Sequence, residues 1–296
     1  MIISKIIGGL GNQMFQYAAG RSLAIKRGSE LKLDNLTYFE DQPPENTPRH
    51  YELECYPIAA KLISAKDLAT IKQVGQPVPK SLFAKFGRRP SLVRLDEHSE
   101  PFQSFQPRFF SQTDDVYLDG HWQNEKYFAD IRNKLLTELT PKQLSTYTQK
   151  LAGEIKGENS VAIHVRRGDY ISNKHANKFH GVMEADYYQE ALEQIAKQVG
   201  KVRCYVFSDD IAWCKDSLTL DSSAVYVTGN GPERGCEDIY LMQQCSHDVI
   251  ANSSFSWWGA WLNNNPGKIV VAPKNWFRDK IANKKMHIVP DNWIRL

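Results

Sequence analysis

The chain has 296 residues, 42% of them hydrophobic and 24% charged, the balance of a globular protein with a substantial core and not of a disordered, collagenous or coiled-coil chain. With 37 Lys and Arg against 34 Asp and Glu the formal charge is only +3, so generic nucleic-acid binding is not expected and any attraction for anions must come from a local cluster. No apolar run approaches the roughly 18 residues that cross a bilayer, Met1 to Ile7 carries no signal-peptide pattern, and a soluble, cytoplasmic protein is the expectation.

Ile2 to Ile7 reads as a buried strand, followed by Gly8-Gly9-Leu10-Gly11-Asn12-Gln13 and by a helix over Met14 to Lys26, with Phe15, Ala19 and Leu23 at helical spacing. Gly28 stands where that helix would stop, and Leu31 and Leu33 alternate in a second short strand ending at Asp34. Nine of the 14 prolines fall between Pro43 and Pro107, among Tyr51, Tyr56, Phe83, Phe86, Phe102, Phe105, Phe109 and Phe110. That stretch reads as irregular packing, or as an aromatic pocket wall suited to a sugar.

A helix is expected over Lys126 to Leu139, and the polar segment Gly153 to Asn159 reads as a domain junction. Beyond it, apolar runs at Ser160 to Val165, Val202 to Phe207, Ala224 to Val227, Val249 to Ala251 and Ile269 to Ala272 are spaced by helical stretches such as Tyr187 to Gln198 and Asp238 to Cys245. Continuous apolar strands spaced in this way predict a parallel sheet covered on both faces. Cys55, Cys204, Cys214, Cys236 and Cys245 are an odd, scattered set with no CxxC pair and read as reduced core thiols.

Ligands of open parallel sheets bind beyond the carboxyl ends of the strands, so the residues after each apolar run matter most. They are the glycine loop after Ile7, Arg166-Arg167-Gly168-Asp169-Tyr170, Ser208-Asp209-Asp210, and Asn252-Ser253-Ser254-Phe255-Ser256-Trp257-Trp258. Arginine forks, hydroxyls and a helix start suit a diphosphate: Arg166 can bond bidentately where Lys cannot, and the Ser253-Ser254 turn opens a helix whose dipole favours an anion. Gly8, Gly9 and Gly11 would let backbone approach the ligand closely.

Other readings compete. Arg-Arg pairs often stand on surfaces, and Gly9-Leu10-Gly11-Asn12-Gln13-Met14 imitates a dinucleotide loop but has Met14 in place of the third glycine. Ser208-Asp209-Asp210 suits a metal or, equally, ribose hydroxyls or a base edge. Trp257, Trp258 and Trp261 on one helix read as core, and His175 and His180 as solvated loop residues. No GxxxxGK, GxSxG or HExxH occurs.

The segments Gly8 to Tyr17, His164-Val165-Arg166-Arg167-Gly168-Asp169-Tyr170 and Asn252 to Gly259, with Gly120-His121-Trp122-Gln123-Asn124-Glu125-Lys126-Tyr127-Phe128 between them, resemble the inverting α-1,2-fucosyltransferases of glycosyltransferase family 11, particularly the bacterial ones. The likeness is weakest between Asn35 and Val116. It implies an α/β, GT-B-like fold of two Rossmann-like domains whose parallel sheets face a central cleft: residues 1–152 on the acceptor side and 153–296 holding the donor, with the last residues free to pack back on the first domain. It implies transfer of fucose from GDP-fucose, the donor substrate, to the 2-hydroxyl of a terminal β-galactose, without metal or cofactor.

On that mapping Arg166 neutralises the departing β-phosphate while His164 and Arg167 orient it. Ser253, Ser254 and Ser256 add donors, and Asn12 closes from the first domain beside Gly9 and Gly11. Ser208 lies on the donor side, and Asp209 or Asp238 reads ribose or guanine. Trp122 and Gln123 are assigned to the acceptor. Asp169 is the candidate base nearest in sequence, or a structural partner of Arg167 or of backbone N–H groups, the alternative being a loosely bonded transition state with little need for a base. Where some related fucosyltransferases carry a glutamate five residues after this aspartate, this chain has Lys174. The partners implied are GDP-fucose and a β-galactoside, with a peripheral contact to the inner membrane left open; a fucosyltransferase of other linkage or a transferase of another nucleotide sugar is the rival among enzymes, and a non-catalytic nucleotide- or sugar-binding module the rival of another class.

Overall fold

The computed structural model describes the chain except residues 41, 43–46, 74–91, 98–104, 112–114 and 286, and the side chains of Asp169, Ser172, Lys174, His175 and Ala176. Two parallel sheets organise it. The first holds β1 (Ile2–Lys5), β2 (Leu31–Asp34), β3 (Lys61–Leu62), β4 (Val93–Asp96) and β5 (Val116–Asp119), in the spatial order β3-β2-β1-β5-β4. The second holds β6 (Ser160–Val165), β7 (Arg203–Ser208), β8 (Val225–Tyr226), β9 (His247–Val249), β10 (Val270–Ala272) and β11 (Ile294–Arg295), in the order β11-β10-β9-β6-β7-β8. This is the α/β layout expected of a GT-B-like chain. In the second sheet β6 lies between β9 and β7, so the residues that follow these three strands emerge side by side.

Helix α1 runs from Leu10 to Arg27 and therefore starts four residues earlier than its apolar spacing predicts. Most of the expected glycine loop is helical: Gly9 is the N-cap, and Gly11, Asn12 and Gln13 lie in the first turn. At the other end Gly28 closes the helix in the left-handed region, φ 58°, its N–H donating to the Ala24 and Ile25 carbonyls.

The two sheets share one core. Phe15 of α1 meets Trp257 and Trp258 of the helix Ser254–Leu262 with ring centroids 4.5 and 4.9 Å away, and Trp258 Nε1 donates to the Gly11 carbonyl at 3.0 Å. Burying a side chain such as Phe15 stabilises by about 1.5–3 kcal/mol. A tryptophan cluster here ties the two halves together directly, and the expectation that Trp257, Trp258 and Trp261 are core residues holds.

Other expectations need correction. Lys126 to Leu139 is broken into single 3₁₀ turns at Glu125–Tyr127 and Ala129–Ile131 before the helix Arg132–Glu138. Gly153 to Ile155 finish the helix Thr146–Ile155, leaving only 156–159 as connection to β6. The proline-rich stretch is more regular than its composition suggests, with β3, β4 and a helix Ala65–Gln73, while Phe83, Phe86 and Phe102 lie outside the described residues. Tyr56 and Phe109 are fully buried, in the core and not on a pocket wall. At the end of the chain β11 pairs with β10, so Ile294 and Arg295 extend the second sheet, and Trp293 packs on Trp257 in the shared core. All five cysteines are free, but they are less scattered than the sequence suggests: Cys55 and Cys236, from the two halves, lie within hydrogen-bonding reach of one another.

Candidate active site

The β6–β7 register sets Val165 opposite Ser208, which brings the following residues together. Arg166 Nη1 lies 2.9 Å from Asp209 Oδ2, and the Arg167 backbone N–H donates to Asp209 Oδ1 at 2.8 Å. A side-chain carbon on Gly168 would stand 2.8 Å from Asp209 Oδ2, so glycine is needed for this approach. Asp209 thus grips the end of β6 and aims the Arg166 guanidinium, which stays partly exposed. Asp210 caps the next helix by accepting from Trp213 N, and Ser208 Oγ accepts from Asp210 N. The acidic pair, read from sequence as metal, ribose or base ligands, is engaged within the protein. Among the described residues no group of three or more His, Cys, Asp and Glu is placed to hold a metal ion.

Arg167 lies with its guanidinium 4.0 Å from the Trp213 ring centre and 3.6 Å from the Asp210 carboxylate. Its Nε and Nη1 are buried with no hydrogen-bond partner among the described residues, Nε having only the Asp210 carboxylate at ion-pair distance. His164 is 5% exposed beneath Phe255. Burial drives its pKa far below the usual imidazole value, Asp209 opposing and Arg166 adding to the effect, so the ring is neutral and Nδ1 lacks a partner.

Beyond β9, Asn252 fixes the turn by donating to the His180 and Trp276 carbonyls. Ser253 caps the helix Ser254–Leu262 through Phe255 N, and Ser254 Oγ donates to Asn12 Oδ1 at 2.7 Å. Ser256 does not belong to this face: it is fully buried and bonded to the Ala251 and Ser253 carbonyls. His180 is not a solvated loop residue either. It ends a short helix and stacks on Tyr170 at 4.7 Å, while the His175 side chain lies outside the described residues.

From the first sheet, Asn12 is the meeting point. Its Oδ1 accepts from Ser254 and also from Gln123 Nε2 at 2.9 Å, so the glycine, Gln123 and serine segments converge on one side chain. Gly11 serves helix packing and not ligand approach: an added carbon would lie 2.5 Å from both Phe255 N and Ser254 C. Gly8 is in the left-handed region at φ 74°. Trp122 is fully buried against Phe109 and Tyr127, which removes it as an acceptor contact. Asp238, half-buried and accepting from Asn230 Nδ2 at 2.9 Å, is pushed up to about 7 by burial. Asp169 is placed by backbone alone, in the short helix Gly168–Ser172.

Two residues escaped the sequence reading. The Arg49 guanidinium carbon is 3.7 Å from where a Gly9 side chain would begin, which puts another cation at the start of α1; it sits in the proline-rich stretch, where no pattern marks it. Glu97 is buried at the end of β4 and holds the backbone of His121 and Trp122. A recess of about 440 Å³ lies elsewhere, at the amino ends of β6 and β9, and its amides Gln244, Asn263 and Asn265 already bond to backbone.

Fixed guanidinium groups, a serine-capped helix start and the start of α1 meet at one strand-end cluster, an arrangement suited to a substrate with an anionic leaving group. Residues 101–296 match the profile of Glycosyl transferase family 11. The chain is 33% identical to an Alpha-1,2-colitosyltransferase of Escherichia coli across 100% of this chain and 99% of that protein. It is also 33% identical to the O-antigen biosynthesis glycosyltransferase WbnK of Escherichia coli, across 99% of both. With a Galactoside 2-alpha-L-fucosyltransferase Sec1 of Mus musculus it shares 36% identity over 88% of this chain and 64% of that protein. The protein is a glycosyltransferase. It belongs to Glycosyl transferase family 11.

Proposed function

We propose that this family 11 enzyme is an inverting α-1,2-fucosyltransferase that moves L-fucose from GDP-fucose to the 2-hydroxyl of a terminal β-galactose in surface-polysaccharide synthesis. The observation that carries the reading is the Arg166–Asp209 pair, a guanidinium held at 2.9 Å by a carboxylate and still open to solvent beside a serine-capped helix. In the transfer the acceptor oxygen bonds to the fucose anomeric carbon, the bond from that carbon to the β-phosphate oxygen breaks with its electrons leaving on GDP, and the hydroxyl proton is lost. Arg166 meets the charge that appears on the phosphate, Arg167 adds a second positive charge behind it, and the starts of α1 and of the helix Ser254–Leu262 add dipoles of the same sign. This chemistry needs no divalent ion.

On this reading residues 153–296 hold the donor, residues 1–152 face the acceptor, Asp238 bonds ribose or guanine while Asp209 holds Arg166, and Asp169 takes the proton or braces Arg167. Synthesis takes place on the cytoplasmic side; among the described residues no helix is long and apolar enough to cross a membrane. A second donor has specific support, since one full-length relative is a colitosyltransferase. Colitose is fucose without its 3-hydroxyl, so the two donors present the same diphosphate and differ at one contact. Purified protein is given GDP-fucose or GDP-colitose with a β-galactoside, and the new bond is located by NMR. Fucose on the galactose 2-position is expected; colitose transfer alone, or a bond to another carbon, would overturn the donor or the linkage respectively.

A further inference from the structure

Glu97 directly follows β4 and is 1% exposed. Its Oε2 accepts from the backbone N–H of His121 at 2.6 Å and of Trp122 at 2.8 Å, just past the end of β5. The approach is tight: a side-chain carbon on Gly120 would lie 2.4 Å from Glu97 Cβ. Trp122 stands at φ 54°, a left-handed conformation that is costly for a bulky residue and persists only when its surroundings hold it. Two N–H bonds to one carboxyl oxygen are such a hold. The next residue, Gln123, donates to Asn12, which accepts from Ser254 in turn. A continuous line of contacts therefore leads from Glu97 through the 121–123 turn to the serine-capped helix of the second sheet.

The arrangement is poor for stability alone. Glu97 Oε1 is buried without a hydrogen-bond partner among the described residues, and so are Trp122 Nε1, Gln106 Nε2 and Asn124 Nδ2. Unpaired buried polar atoms beside a strained tryptophan mark a turn shaped for a task.

We propose that Glu97 is a positioning residue for the sugar transfer, fixing through the His121 and Trp122 amides the turn that delivers Gln123 to Asn12. The proposal rests on the reading of the first sheet as the acceptor side. Burial pushes the Glu97 carboxyl up to about 7 against the pull of the two N–H groups, with the neighbouring Asp96 adding to the rise. Among the described residues the other ionisable groups around it are His121, whose backbone N–H donates to it, Tyr127, whose hydroxyl accepts from Gln106 N, and Arg108, bonded to Gln106 Oε1. The turn accordingly loosens or tightens with the charge on Glu97.

Glu97→Gln, of the same shape but without titration, is the test. GDP affinity should stay within about twofold of wild type, kcat should fall by about tenfold, and the inflection of the acceptor kcat/KM near pH 7 should vanish. Glu97→Asp should restore part of the inflection. Equal loss of GDP affinity and turnover, or a wild-type pH profile in Glu97→Gln, overturns the proposal. Amide hydrogen exchange at His121 and Trp122 provides a readout independent of any substrate: it should quicken in Glu97→Ala, and unchanged protection likewise overturns the proposal. If wild type uses a donor other than GDP-fucose, the donor reading fails while both readouts for Glu97 remain usable.

Discussion

At the carboxyl end of the second sheet the polar groups are cations partly open to solvent, steered by a carboxylate: Arg166 on Asp209, and Arg167 over Trp213. At the carboxyl end of the first sheet they are amides and a sequestered acid: Asn12, Gln123 and Glu97. One end offers charge to a ligand, the other offers shape. A diphosphate leaving group needs compensation that costs no reorganisation, which favours guanidinium groups already locked in place. An acceptor hydroxyl is neutral and needs only to be aimed, and amides held by other amides suffice for that.

The sharpest way to break this contrast is at Arg166. In Arg166→Lys a single ammonium replaces the fork and loses its grip on Asp209, and kcat should drop by about a hundredfold or more while the melting temperature barely moves, because the side chain is partly exposed. Steady-state kinetics with calorimetric GDP binding reads this directly. A lysine variant with wild-type turnover would mean that the second sheet does not work through a directed cation.

Next in size is a pair of glycines. Gly11→Ala would push a carbon to within 2.5 Å of two backbone atoms of the facing helix, so α1 must move off the tryptophan cluster. Turnover should fall by about tenfold and the melting temperature by several degrees. Gly9→Ala meets the flexible end of Arg49 at 3.7 Å, an ordinary contact, and should be close to neutral for stability. If Gly9→Ala instead destroys GDP binding while Gly11→Ala is tolerated, the segment contacts phosphate after all and the first sheet is not purely a shaping element.

The same contrast explains what could be read from sequence. Strands β6, β7 and β10 stand out as apolar runs because a parallel sheet is buried on both faces, and Arg166 stands out because it ends such a run. The two-residue strand β3 has no such signature, since both its residues are exposed, and β5 is a four-residue strand that ends in a buried aspartate and so shows no continuous apolar run. The glycine segment misled because glycine permits close approach of any partner; the sequence cannot say whether that partner is a phosphate or a second helix. Glu97 was invisible for a related reason: a carboxylate that bonds only to backbone 24 residues away leaves no partner residue to recognise.

The smallest expected effects are on stability, and here the two ends should answer pH in opposite directions. Glu97 is raised from 4.5 to about 7, so the folded chain binds a proton more tightly than the unfolded one. Its contribution is complete below the ordinary glutamate value and is lost as pH rises toward 7. His164 is lowered from 6.5, so its contribution is complete above the ordinary histidine value and is lost as pH falls below it. Glu97→Gln should therefore gain a few degrees of melting temperature on wild type between about pH 5 and pH 8, and His164→Gln should gain on wild type between about pH 7 and pH 4. Calorimetric scans at these pH values separate the two. If both variants respond on the same side, burial does not raise the Glu97 carboxyl, and the first sheet's acid is ionised in the folded protein across this range.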